Sequence, residues 1–406
     1  MTFNIQEEIT KSRGLAPKPP AKVQENRINR TQKFIDDHNM DGVLVYGSPY
    51  LNNEIIRYLS GYVHIVQRAR SMLLIPKHGE PILFTDRPWH KSEAEKMSWI
   101  EDIRTIPSVD HRNYSELSSK LKQALKDTDI LSGTIGAFRS DMPAAYMSVL
   151  KNAAPKADIV DADPIWHDLV TSPTDYDLDM ISKTASIADE GLATVVSESR
   201  AGVSEREICI NALDRMAQLG AEFRLGAAVS THVNTGAFSE VLANLRPFLF
   251  TGNRLEHGQM FWTDLVACYN GYYIDCDRTI CVGEPTDEQQ DIFDIVEQMY
   301  EAMVEKIAPG VEGGEVWQVG YDIAEKHGYG DAINFVHQGH PTGLMVSESS
   351  IISEGVTKEI PSGSVINIEP GIFVPGVGSA NIENAVYVSE NNVEQINELD
   401  NELFIV

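Results

Sequence analysis

Trp262-Thr263-Asp264-Leu265-Val266, then Asn270-Gly271, then Tyr273-Ile274-Asp275-Cys276-Asp277-Arg278-Thr279 is the stretch that decides how this chain is read. Two apolar runs flank an Asn-Gly pair, whose residues accept the positive φ angles of a tight hairpin turn, so two antiparallel strands are predicted. Side chains alternate along a strand, which puts Asp275 and Asp277 on one face and Cys276 on the other. Acids from the two strands then face each other. An ionised carboxylate buried without a partner is strongly disfavoured, so several on one sheet require positive charge from Arg, Lys or metal. Arg278 alone cannot neutralise them all. Asp277 is a possible extra acid, and a salt bridge to a neighbouring Arg is its plainer reading.

Three later segments extend the pattern: Gly339-His340-Pro341-Thr342-Gly343, Asn367-Ile368-Glu369-Pro370-Gly371 and Asn381-Ile382-Glu383-Asn384. Each sets one ligand-type side chain beside a strand end or tight turn. Asp264, Asp275, His340, Glu369 and Glu383 form a hard, oxygen-rich set that suits Mn, Fe, Co or Zn, and it is compatible with two divalent metal ions bridged by carboxylates. Two such ions about 3.5–4 Å apart lower the pKa of a shared water and polarise a scissile carbonyl.

Upstream, Ser172-Pro173 offers a hydroxyl N-cap followed by proline at the first helical position, with Met180, Ile181, Ala185 and Ala188 recurring at helical spacing. Ser204 to Glu207 matches a capping box at the start of a helix running to Leu219. Gln289 to Ile307 reads as an amphipathic helix, and Phe261 to Val266, Tyr272 to Val282, Val365 to Ile368 and Asn381 to Val388 read as strands. Nearer the N-terminus, apolar runs at Val43 to Tyr46, Met72 to Ile75, Ile82 to Phe84 and Thr134 to Phe138 alternate with helical stretches around Ser92 to Met97 and Ser115 to Leu125, the texture of an α/β layer. The expected organisation is a polar arm at 1–25, an α/β domain at 26–168 and a metal-binding domain at 169–406.

At 406 residues the chain is long enough for two cores. Lys and Arg number 33 against 60 Asp and Glu, a formal net charge of −27; such a surface repels phosphate backbones and anionic lipid, so neither nucleic acid nor membrane is an expected partner. Residues 1–11 lack the basic and apolar regions of a secretory signal, and cytoplasmic localisation is predicted. The four cysteines, Cys209, Cys268, Cys276 and Cys281, are too few and too irregularly spaced for a disulfide framework or a zinc ribbon.

In order and spacing the five ligand-type residues resemble the pita-bread metalloenzyme family of methionine aminopeptidases, Xaa-Pro dipeptidases and creatinase. Asp264 matches the first family Asp. Asp275 lies eleven residues on, before Arg278-Thr279; His340 sits in Gly-His-x-x-Gly, Glu369 in Ile-Glu-Pro-Gly, and Glu383 fourteen residues later. The resemblance covers roughly residues 172–390, and Ile56-Arg57-Tyr58-Leu59-Ser60-Gly61-Tyr62 adds a similarity to the creatinase-type N-domain. It implies an α+β fold, a pita-bread catalytic domain preceded by a creatinase-type α/β N-terminal domain, and a homodimer in which the N-domain of one subunit covers the other's site. It also implies that Asp275 and Glu383 bridge both metals, that Asp264 and His340 each serve one, and that Glu369 relays a proton, making Glu369 and His340 catalytic.

The resemblance fails at two substrate-side histidines. Where the family's peptidases carry the first, this chain reads Leu245-Arg246-Pro247-Phe248; where they carry the second, it reads Ser347-Glu348. His232, in a loop-like segment upstream of the first Asp, is a candidate replacement. Arg246 is a candidate partner for a substrate carboxylate, Ser347 and Glu348 candidate pocket residues, and His337 a packing or outer-shell residue. The function implied is hydrolysis of an amide-type bond in a dipeptide or other small molecule, with the metallohydrolase manganese-dependent or using a related ion. Dimethylsulfoniopropionate lyases of the same superfamily, similar to this chain at Thr263 to Val266, offer the alternative of a metal-assisted lyase, although acids proposed for those lyases correspond here to Ser347 and Trp262. A non-catalytic pita-bread binding protein is the third reading, and eroded ligands would be its mark.

Overall fold

A computed structural model describes residues 18–64, 66, 68–107, 113–222, 254–333, 337–346 and 351–406, together with the backbone of 231–234. The described chain divides into two compact units, one ending at Leu169 and the other beginning at Val170.

In the first unit, strands β1 (Gly42–Gly47), β2 (Ser71–Pro76), β3 (Ile82–Thr85), β4 (Asp102–Thr105), β5 (Thr134–Ala137) and β6 (Asp158–Asp161) form a sheet in the order β4-β3-β2-β1-β5-β6. β2 runs antiparallel to both of its neighbours, while β3–β4, β1–β5 and β5–β6 are parallel. Parallel pairs need crossovers: α3 (Pro88–Met97) joins β3 to β4, α5 (Ala144–Ala153) joins β5 to β6, and α2 (Asn53–Ser60) and α4 (Tyr114–Asp127) lie on the longer path from β1 to β5, while α1 (Ala21–Asp37) precedes the sheet and α6 (Asp163–Val170) follows it. Leu44, Leu74 and Phe84 of the sheet pack with Leu121 and Leu125 of α4 and Leu150 of α5 in one buried cluster. α1 starts at Ala21, directly after Pro19-Pro20, so helix reaches back into the segment expected to be a polar arm. Proline presets the φ of a first helical turn, and residues 21–25 contain no breaker.

The second unit wraps strands between helices α7 (Asp175–Glu198), α8 (Glu205–Gln218), α9 (Asp287–Lys306) and α10 (Gly313–Lys326). One sheet has the order β16-β9-β8-β7, from β7 (Thr231–Asn234), β8 (Met260–Tyr269), β9 (Tyr272–Cys281) and β16 (Phe404–Ile405). A second has the order β10-β11-β14-β15, from β10 (Gly339–Pro341), β11 (Ser364–Ile368), β14 (Asn384–Val388) and β15 (Val393–Gln395), and β12 (Gly371–Val374) pairs with β13 (Gly378–Asn381). Val195 of α7 and Ile208 and Ala212 of α8 bury against Phe261 and Ile280. Ile292, Val296 and Met299 of α9 and Val316 and Trp317 of α10 bury against Ile366, Ile368, Ile372 and Val386.

The α7 boundary corrects the Ser172-Pro173 expectation. Thr174 is the N-cap: its hydroxyl accepts from Asp177 N at 3.3 Å, and Asp177 Oδ2 accepts from Thr174 N at 2.9 Å. Asp177 also receives the Tyr272 hydroxyl at 2.5 Å, which ties the helix start to β9. Replacing Thr174 with Ala is expected to destabilise the unit by about 1 kcal/mol, read as a lower denaturant midpoint at unchanged slope. The Ser204–Glu207 capping box forms as predicted. The single strand expected over Asn381–Val388 is two strands broken at Ile382-Glu383, because the backbone of Glu383 pairs with Asp277 instead of continuing the ladder to β11. α10 went unpredicted: Gly313-Gly314 masks its start, yet glycine is required there, since a Cβ on Gly313 would lie 1.9 Å from the Ile351 carbonyl oxygen.

Candidate metal centre

Asn270 and Gly271 adopt φ of 50° and 84°, the tight turn their sequence predicts, and this fixes the β8–β9 register. Asp264 therefore stands opposite Asp277, and Asp275 opposite Val266. Parity turns Cys276 away, where its thiol donates to the Leu265 carbonyl at 3.6 Å. From β9 the arrangement spreads laterally. Asp277 N donates to Glu383 O at 3.3 Å and Glu383 N to Asp277 O at 3.4 Å, while the Thr279 hydroxyl donates to Asn381 O at 2.8 Å. In the second sheet His340 stands opposite Asn367.

These pairings gather five distant residues. Ligand atoms of Asp275, His340 and Glu383 lie within 4.8 Å of one another. Nε2 of His340 is 3.7 Å from Glu369 Oε1 and 3.8 Å from Glu383 Oε1, and Asp264 is near enough for its charge to act on Asp275. Burial drives the carboxyls of Asp275, Glu369 and Glu383 well above the usual carboxylate range, and mutual repulsion drives them further. Asp277 is raised in the same way, first by burial and then by the charges of Asp264 and Asp275. Burial lowers His340 to about 4, which leaves its imidazole neutral and able to ligate.

The positive charge these acids require is not supplied by Arg278. Its guanidinium is fully buried, yet it donates to the carbonyls of Asp277 (2.6 Å), Glu383 (3.0 Å), Leu399 (2.6 Å) and Asp400 (2.8 Å) and to Asn384 Oδ1 (2.8 Å), and, among the described residues, to no carboxylate. Among the described residues the expected salt bridge between Asp277 and a neighbouring Arg does not form: strand parity sends residue 278 to the opposite face, and Asp277 Oδ2 accepts instead from Asn381 Nδ2. Among the described residues, the ion pairs of Glu369 and Glu383 are with histidine alone. Buried Oδ1 of Asp275 and Oε1 of Glu369 have no hydrogen-bond partner there. Buried polar atoms are paired in almost every native structure, so orphaned carboxylate oxygens around a neutral imidazole fit a cation that takes hard donors.

Two residues went unrecognised as site residues in the sequence. Asn367 Nδ2 donates to Glu383 Oε1 at 2.7 Å and to Asp275 O at 3.2 Å, and so aims one acid while supporting the strand that carries another. Asn381 does the same for Asp277. The signal was present: Asn-Ile-Glu occurs at both 367–369 and 381–383, with Asn two positions before each Glu. His337 places Nε2 3.7 Å from Glu369 Oε1 at the half-exposed margin of the cluster. The backbone of His232 pairs opposite Asp264, whereas Arg246, Ser347 and Glu348 lie outside the described residues.

Comparison with known proteins follows the same division of the chain. Residues 179–390 match the profile of metallopeptidase family M24, and residues 27–169 that of the creatinase/prolidase N-terminal domain. The chain is 27% identical over 385 residues to the Xaa-Pro dipeptidase of Pyrococcus furiosus, covering 93% of this chain and 99% of that protein. It is 26% identical over 383 residues to a putative dipeptidase of Bacillus subtilis, covering 94% and 100%. In fold it resembles the prolidase from Pyrococcus horikoshii OT3 (TM-score 0.77, 24% identity, 93% and 99% covered) and the Xaa-Pro dipeptidase from Bacillus anthracis (TM-score 0.79, 24% identity, 94% and 100% covered). Among the described residues no helix is long and apolar enough to cross a membrane.

Proposed function

This chain belongs to metallopeptidase family M24, and from that premise we propose that it hydrolyses an amide-type bond in a small peptide or modified amino acid. Its α+β architecture is a creatinase-type N-terminal domain followed by a pita-bread domain. The relatives' names make an Xaa-Pro dipeptide the first substrate to try.

The reading is carried by the gathering of Asp275, His340 and Glu383, with the ion pairs of Glu369 and Glu383 made to histidine among the described residues. Asp264, Asp275, His340, Glu369 and Glu383 would hold two divalent ions of the Mn, Fe, Co or Zn type. When bound, such ions acidify a water and polarise the scissile carbonyl. The chain's own residues do the rest. Asn367 donates to Glu383 Oε1 and so orients that carboxylate beside His340. His340 stays neutral because it is buried. Glu369, with one oxygen facing His337 and His340, can accept a proton from the attacking water and deliver it to the leaving amine.

Stripping the protein with a strong chelator is expected to abolish Xaa-Pro dipeptide cleavage, and adding back Mn, Co, Fe or Zn to restore it. Hydrolysis that survives complete metal removal would refute the mechanism. Mass balance in the same assay separates the chemistries: hydrolysis adds one water to the products, whereas a lyase yields an unsaturated product and consumes none.

A further inference from the structure

Resting on that reading, we propose that Asp277 is a sixth protein donor of the centre, ligating a cation through Oδ1 while Asn381 holds Oδ2.

Asp277 is 1% exposed and stands opposite Asp264 across the hairpin, with its backbone bridged to Glu383. It is thus flanked by two of the acids already assigned to the cations. Its Oδ2 is taken by Asn381 Nδ2, whereas its Oδ1 is buried and has no hydrogen-bond partner among the described residues. A purely structural buried aspartate would pair with the nearest cation. Arg278 is adjacent in sequence, yet its donors go to carbonyls on the other face.

Asn381 and its neighbours hold this carboxylate in one orientation. Asn381 is pinned by a 2.9 Å hydrogen bond from its N–H to the Thr279 hydroxyl, and the facing position must be glycine, since a Cβ on Gly371 would lie 2.0 Å from Asn381 Oδ1. An amide donor whose backbone is anchored in this way fixes one carboxylate oxygen and leaves the other free to ligate, an arrangement often found behind a metal ligand. Counting Asp277, the donor set holds five carboxylates and one neutral imidazole, so the negative charges outnumber the four positive charges of two divalent ions. Such a set favours hard, oxygen-seeking ions such as Mn over softer ones.

Asp277→Asn tests this, because asparagine keeps the volume and can still accept from Asn381 through its own amide oxygen; only the anionic donor is lost. Metal content would be measured by elemental analysis after dialysis against graded chelator, for the wild type and Asp277→Asn loaded with Mn. The expected result is selective loss of one ion, at a chelator concentration on the order of ten- to a hundredfold lower than the wild type tolerates. In the Co-loaded proteins, the visible absorption of the variant should intensify as the coordination number falls, a change that a residue acting only at a distance would not produce. Asp277→Ser, which removes the carboxylate without adding bulk, should give the same two results if Asp277→Asn does not fold. Two ions held as tightly as in the wild type, with an unchanged Co spectrum, overturn the proposal. A wild type that retains no metal overturns the preceding reading as well.

Discussion

Asp275→Ala is expected to lower turnover of an Xaa-Pro dipeptide on the order of a thousandfold or more, about 4 kcal/mol of lost transition-state stabilisation, with a matching loss of bound metal. Ligand atoms of Asp275, His340 and Glu383 lie within 4.8 Å of one another, so losing this carboxylate removes a donor from the middle of the cluster. The stability of the metal-free protein should move in the opposite direction. Burial, reinforced by the neighbouring charges of Glu383 and Asp264, raises the Asp275 carboxyl well above its ordinary value. A carboxyl raised by folding contributes stability that is full below its unfolded pKa and is lost as pH rises through the folded value. At neutral pH the metal-free wild type therefore carries a penalty that Asp275→Ala removes. Thermal melts with and without added Mn should show a metal-dependent rise for the wild type and none for the variant, and the metal-free variant should melt at or above the metal-free wild type. Near-normal kcat/KM with full metal content would sink the assignment.

Arg278→Met is expected to cost about 3–5 kcal/mol of folding stability, the range for removing one partner from a fully buried charged network. The five hydrogen bonds of its guanidinium reach carbonyls on three separate segments, and methionine would leave those oxygens buried and unpaired. Arg278→Lys should recover little, because an ammonium cannot reproduce the planar fork. Chemical denaturation of the metal-free proteins provides the measurement. A loss under about 1 kcal/mol, the scale of an ordinary surface change, would show that the network contributes far less than its geometry implies.

How far the residues themselves announced this architecture varies with how local each determinant is. Asn270-Gly271 dictates its own turn, and with it the hairpin; Ser204 and Glu207 need only each other. Ser172-Pro173 satisfies the local rules for starting α7, while the choice of Thr174 is reinforced by Tyr272, a residue 95 positions from Asp177. Gathering the five ligand residues could be expected from chemistry, since strand carboxylates need a cation. The roles of Asn367 and Asn381 could not, because each is defined by hydrogen bonds spanning 16 and 104 positions. Arg278 shows the same limit from the other side. Beside Asp275 and Asp277 in sequence it looks like their counter-ion, and strand parity alone makes it a backbone clamp.

The ladder joining β8 to β9 also constrains what change the protein can absorb. Surface connections accept insertions and deletions readily, but Asp264 and Asp275 are held on one face by counting residues along paired strands. A single residue gained or lost inside either strand would turn its carboxylate outward, as surely as mutating it. Point substitutions are therefore the only gradual route by which this hairpin can diverge while its chemistry is kept.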